Sequence, residues 1–208
     1  MKTRQTGFTL LELMLVVLLA GLLLSIGVPA MGNFIRNARL TGAANDVMVA
    51  LHLTRSEAIK RRVPVTLCTS ANPLVANPAC TASTQLLGWI VFVDDNGDNV
   101  PDATDGNGVR DAGEAVLLLQ HAALPNTITA QSTAIPLRVT YLNNGFASNA
   151  IAAQLVFCDE RGNVNSGGQL SAARGITVSV TGRAGVTRDP AEIQVLIDAI
   201  GGPIAGCT

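Results

Sequence analysis

The chain of 208 residues is long enough for one globular domain and an appendage. Its formal net charge of -1 and pI of about 6.1 give no bulk basic field of the kind that holds nucleic acid without regard to sequence. Four scattered cysteines and two histidines, with no C-x-x-C pair, exclude the common structural zinc frameworks.

The 48% hydrophobic fraction is concentrated at the N-terminus. Residues 1–12 read MKTRQTGFTLLE, and an apolar run extends from Phe8 to Val28 with Glu12 as its one charge. A run of about 20 residues spans the hydrocarbon core of a bilayer as a helix. Lys2 and Arg4 before it favour a cytoplasmic N-terminus, an asymmetry that Arg36 and Arg39 weaken. A secretory signal would carry a shorter apolar region ending at a small-residue cleavage site, whereas this one ends at Gly27-Val28-Pro29. A carboxylate facing lipid costs about 2.5–3.5 kcal/mol on insertion scales, so Glu12 requires a counter-ion. Cleavage between Gly7 and Phe8 would place a new α-amino group one helical turn before Glu12. A neighbouring subunit's amine then becomes the natural partner for the carboxylate when helices pack.

The basic start, Gly7, Phe8 and Glu12 resemble the leader of type IV pilins and pseudopilins, with glycine before the cut, phenylalanine after it and glutamate five residues into the mature chain. The resemblance implies a leader over residues 1–7, cleavage and N-methylation by a prepilin peptidase, and storage as a single-pass protein of the inner membrane. It further implies assembly with other pilin-like subunits through a filament-core helix over 8–28. Pro29 is similar to the helix-kinking proline of these proteins; by itself it reads as a break, since it removes a backbone donor and crowds the preceding turn.

Beyond it, Leu40, Ala44, Val47, Leu51, Thr54 and Ala58 recur in steps of four and three, as one face of a helix requires, with Arg39, Asp46, Arg55 and Glu57 on the other face. These residues predict an amphipathic continuation over 29–62, giving one interrupted helix of about 80 Å. Lys60, Arg61 and Arg62 complement its negative end, and Pro64 stops it. From residue 63 to 208 the runs PVTLC, GWIVFVD, EAVLLLQ, NTITA, LRVTYL, AQLVFCD and GITVSVTG read as strands of an extracytoplasmic β-rich head, with turns at Asn143-Asn144-Gly145 and Arg161-Gly162-Asn163. The fold class is therefore α+β, a long N-terminal helix packed on a small β-rich head. The C-terminal AEIQVLIDAIGGPIAGCT reads as a last strand or a docked tail.

Between the second and third runs, DDNGDNVPDATDGNGVRDAGE holds seven of the fifteen acids. Asp94, Asn96 and Asp98 begin a calcium-loop pattern, but Asn99 and Asp105 stand where an EF-hand needs glycine and a bidentate glutamate. A solvated turn-rich loop is the plainer reading. No nucleophile, phosphate-loop or metalloprotease motif surrounds His52 or His121, no cofactor is indicated, and the chain is read as a structural protein and not an enzyme. Trp89 and Tyr141 are assigned to core packing. The four cysteines allow three pairings. An oxidising compartment, sequence proximity and a tail that needs an anchor favour Cys68 with Cys80 and Cys158 with Cys207.

GWIVFVD with its acidic loop and GEAVL, then FCDERGN and ARGITVSVTGR, are similar in order to the GspH-type pseudopilins and FimT-type minor pilins. This narrower resemblance implies a minor subunit at a filament tip or at initiation. The function it implies is type II protein secretion or, alternatively, type IV pilus assembly and DNA uptake. FimT-type proteins that take up DNA resemble one another in a G-R-x-R motif. Here Gly182 and Arg183 match, Gly185 replaces the second arginine, and Arg188 lies beyond it, so Arg183 and Arg188 are the candidate DNA contacts of an expected weak binder.

Overall fold

The computed structural model describes residues 7–83, 85–97, 105–111, 113–114, 116–132, 137–148, 154–164, 169–201 and 207. The chain divides into two units, Met1–Arg39 and Leu40–Thr208. Helix α1, Leu10–Arg61, begins in the first and ends in the second. Thr9 caps its start, its carbonyl accepting from Leu13 N and its Oγ1 from Glu12 N, both at 3.2 Å. At the other end Lys60 and Arg61 pair with Glu57, and Arg62 turns left-handed at φ 64° while donating to the Ala58 carbonyl. The expected interruption at Pro29 is absent: helical backbone continues through it.

In the second unit, β1 (Val65–Thr69), β2 (Trp89–Val93), β3 (Leu117–His121) and β5 (Arg138–Tyr141) form an antiparallel sheet in the order β3-β2-β1-β5. The other four strands, β4 (Thr129–Ser132), β6 (Gln154–Cys158), β7 (Arg174–Val178) and β8 (Ala184–Thr187), form a second antiparallel sheet in the order β4-β6-β7-β8. Each of the seven expected runs overlaps a strand; β8 was not among them. A second helix, α2 (Pro190–Ile200), follows β8.

Alternation within the strands divides the packing. Val65, Leu67, Trp89, Val91, Val139 and Tyr141 of the first sheet join Leu155, Phe157, Ile176 and Val178 of the second in one core. Leu40, Ala44, Val47, Leu51 and Ala58 of α1 close that core, and Thr54 between them is buried, its hydroxyl returned to the Ala50 carbonyl at 2.6 Å. The opposite face of the first sheet buries Cys68, Ile90 and Phe92 beneath Cys80, which is bonded to Cys68. The opposite face of the second buries Val156, Cys158 and Ala173 under Ile193, Leu196 and Ile197 of α2. Cys207 joins this cluster through its bond to Cys158. Because both faces are covered, β1 and β2 are buried at every position; β2 accordingly reads as a continuous apolar run, while β1 buries Thr66 and Thr69 with their hydroxyls hydrogen-bonded.

The last segment corrects the expectation of a strand or tail. Asp189 accepts from Ala191 N and Glu192 N, Pro190 opens the first turn, and Gly201 ends the helix at φ 78° by donating to the Asp198 carbonyl. These are start and stop signals of a helix, and Ile193, Leu196 and Ile197 supply its apolar stripe. The β-rich head thus carries a short helix beside its two sheets.

Candidate functional site

At the N-terminus the side chains of the apolar run are exposed. Phe8 is 84% exposed, and Leu10, Leu11, Leu13 and Met14 through Val28 present large exposed apolar surface. Over an 18-residue window of α1 the mean hydropathy reaches 2.6, long and apolar enough to cross a membrane. Glu12 lies in the first helical turn, where its charge complements the positive end of the helix dipole. Gly7 and Phe8 precede the Thr9 cap, outside the helix, so their peptide bond lies in backbone that no helical hydrogen bond protects.

In the head, the two arginines of the candidate DNA motif are separated. Ser179 N donates to the Arg183 carbonyl, Arg183 N returns to Ser179 Oγ, and Gly182 sits at φ 76° between them, so Arg183 is exposed at the tip of the β7–β8 turn. Pairing of Ala184, Gly185, Val186 and Thr187 with β7 is regular, with no bulge at Gly185 to shift the register. Arg188 lies past the far end of β8 and donates through Nη2 to the Ser171 carbonyl. Residue 185 shares Arg183's strand face but offers no side chain; a Cβ there would meet only Thr177 Oγ1, at 4.0 Å.

The acidic segment departs from a solvated loop at both ends. Asp94 is fully buried: Oδ2 accepts from Thr66 Oγ1 at 2.5 Å and from Gly108 N at 2.8 Å, and Thr66 in turn contacts Thr140 Oγ1 at 2.6 Å. Glu114 is also buried, Oε2 accepting from Asp111 N at 2.8 Å. The two carboxyls contact one another; burial holds Glu114 up at about 8, with the charges of Asp94 and Asp111 adding to it. Burial likewise raises Asp94, against the lowering effect of its Thr66 and Gly108 bonds. Asn96 is half-buried, and Asp98 lies outside the described residues. Among the described residues no three His, Cys, Asp or Glu side chains form a metal-binding group.

Arg174 was missed. It is buried in β7, with Nη1 donating to the carbonyls of Ser171, Ala172 and Ala173 and Nη2 to Thr41 Oγ1 of α1. Burial lowers it to about 10, with Arg188 and Arg161 adding to the shift. No sequence signal distinguishes it, because its acceptors are backbone carbonyls. Trp89 and Tyr141 are buried, and Trp89 stacks on His121 with ring centroids 3.7 Å apart.

Two family profiles match the chain. A prokaryotic N-terminal methylation motif covers residues 2–28, and the type II transport protein GspH covers residues 43–182, well over half of the chain. The chain belongs to the GspH family. It is accordingly a pilin-like structural subunit of the type IV pilus and type II secretion group, and the methylation motif implies processing by a prepilin peptidase. Two crystal forms of the type IV minor pilin FimU from Pseudomonas aeruginosa PAO1 are similar at 20% identity. One has a TM-score of 0.46 over 76% of this chain and 94% of that one; the other has 0.44 over 71% and 91%. No curated protein matches the chain.

Proposed function

We propose that this GspH-family chain is a minor subunit of a secretion pseudopilus, drawn from the inner membrane into the filament by its N-terminal helix. Residues 1–7 are the leader, and cleavage after Gly7 leaves Phe8 as an N-methylated first residue. Residues 8–28 span the membrane and then line the filament core, residues 29–62 carry the helix to the head, and residues 63–208 lie in the periplasm. Glu12 pairs with the Phe8 amine of a neighbouring subunit. The observation that carries this reading is one carboxylate in the first turn of an otherwise apolar, uncovered helical surface. Left alone in hydrocarbon, that carboxylate costs about 2.5–3.5 kcal/mol, so a partner amine favours subunit docking over storage.

Secretion is favoured over DNA uptake because the head does not present Arg183 and Arg188 as a paired clamp. The expected outcome for Glu12→Ala is normal membrane insertion with loss of the subunit from sheared filaments, read by immunoblotting membrane and filament fractions. Wild-type levels of the variant in filaments would remove the pairing.

A further inference from the structure

Beside the filament reading, and independent of it, the two ends of the acidic segment meet inside the head. Asp94 and Glu114 are 0% and 1% exposed. Each gives one carboxylate oxygen to donors of the protein: Asp94 Oδ2 accepts from Thr66 Oγ1 and Gly108 N, and Glu114 Oε2 from Asp111 N. Among the described residues no N–H or hydroxyl reaches the other two oxygens, Asp94 Oδ1 and Glu114 Oε1, although both are buried. The two side chains meet each other, and a pair of carboxylates has nothing but acceptors to offer. Ionised together, they repel where little water screens them. With one proton between them, the carboxylic acid donates and the carboxylate accepts in a charge-assisted bond.

We propose that a proton shared between Asp94 Oδ1 and Glu114 Oε1 clasps the far end of the acidic segment to the first sheet, and that the clasp opens on its Glu114 side as the pH rises. Asp94 is the fixed half. Its N donates to the Pro64 carbonyl and its carbonyl accepts from Gly106 N, in addition to the two bonds at Oδ2. The bonds of Glu114 close its own turn instead: its N donates to the Asp111 carbonyl, and Asp111 N returns to Oε2. Around the pair, β1 and β5 contribute the hydroxyls of Thr66 and Thr140, and Asp111 adds a negative charge. Asp105 adjoins Gly106 in the same loop. Of the cations, Arg110 donates through Nη1 to Asn77 Oδ1 and the Pro78 carbonyl, and Arg138 of β5 lies against Gly108. Burial lifts Glu114 from an ordinary 4.5 to about 8, against its bond from Asp111 N and with the charges of Asp94 and Asp111 adding to the rise. Between those values the folded chain holds a proton that the unfolded chain releases. The clasp therefore stabilises the head fully below 4.5, and its contribution is lost as the pH rises through about 8.

The test uses the full chain in detergent micelles, with thermal unfolding and amide exchange followed from about pH 5 to about pH 9. The expected wild-type Tm falls over this range, the folded-to-unfolded ratio losing up to about tenfold per pH unit below about pH 8. Once exchange is corrected for its intrinsic rate, the amides of Asp111 and Glu114 lose protection above about pH 8, while those of Gly106 and Gly108 keep theirs. In Glu114→Gln the side-chain amide donates to the Asp94 carboxylate at every pH and its oxygen still accepts from Asp111 N. Most of the fall in Tm then disappears, and the Asp111 amide stays protected. The histidines are the same in both chains, so the difference between the curves isolates Glu114. Asp94→Asn, whose amide can donate to an ionised Glu114, is expected to flatten the curve too and serves if the first variant does not fold. A wild-type Tm that is level or rises between about pH 5 and about pH 8, or a fall that persists undiminished in a folded variant, would overturn the proposal. Protection lost evenly at all four amides would overturn the opening at Glu114. Should neither variant fold, the wild-type Tm curve and exchange pattern decide.

Discussion

Among the described glycines, Gly182 leaves least room for a side chain. Its φ of 76° suits glycine, and a Cβ built there would stand 2.1 Å from the Gly145 carbonyl oxygen, in backbone that cannot swing away as a side chain would. Gly145 is itself left-handed and lies against Ile59 of α1, so the two turns meet glycine to glycine above the helix. Gly182→Ala is expected to destabilise the head by roughly 3 kcal/mol or more, a fall in Tm of about 10 °C. An unchanged Tm would show that the turns can separate. Next to it, Arg183 is exposed, but its strand-face neighbour is Gly185. Wild-type chain is therefore expected to bind duplex DNA weakly or not at all at physiological salt, and Gly185→Arg to strengthen binding, because a side chain there points into open space on the face of Arg183. Fluorescence anisotropy checks this. Tight wild-type binding lost in Arg183→Gln would move the protein to the DNA-uptake role.

Among the elements, α2 shows how a short cap governs a whole face. It shields Val156 and Cys158 of β6 and is held at its start by Asp189, whose carboxylate accepts from two of the first backbone donors. Asp189→Ala is expected to cost about 1 kcal/mol and to speed hydrogen exchange in α2 ahead of β6 and β7, with Asp189→Asn largely retaining protection. Uniform exchange across all three would contradict local control by the cap. The strands were legible because β-branched and aromatic runs stand between turn residues, whereas AGVT of β8 is too short and glycine-containing to stand out. Asp189-Pro190 is a helix-start signal in the sequence, but the strand-or-tail reading began at Ala191 and rested on the apolar run and the Gly-Gly-Pro that follow it. The buried face of α1 was read correctly from its spacing, since Leu40, Ala44, Val47, Leu51, Thr54 and Ala58 are all buried. The acidic segment misled because composition marks it as solvated, while Thr66 and Gly108, distant in sequence, draw Asp94 inside. Long-range satisfaction of a polar group leaves no local pattern to read.

At the scale of the whole molecule, a membrane-length apolar helix and a disulfide-tied head share one chain. The head has its own core, closed by the second half of α1, while the side chains from Phe8 to Val28 are exposed. Such a surface is compatible with water only when lipid or other helices cover it, and a filament-core role supplies both at different stages. In the proposed function, cleavage after Gly7 connects the two stages, because it would create the amine with which Glu12 of the next subunit pairs. The most direct test is the intact mass of the protein purified from its native cells. The account predicts a chain beginning at Phe8 with one methyl group on its amine; an N-terminus still at Met1, or cleavage near Pro29, would contradict it.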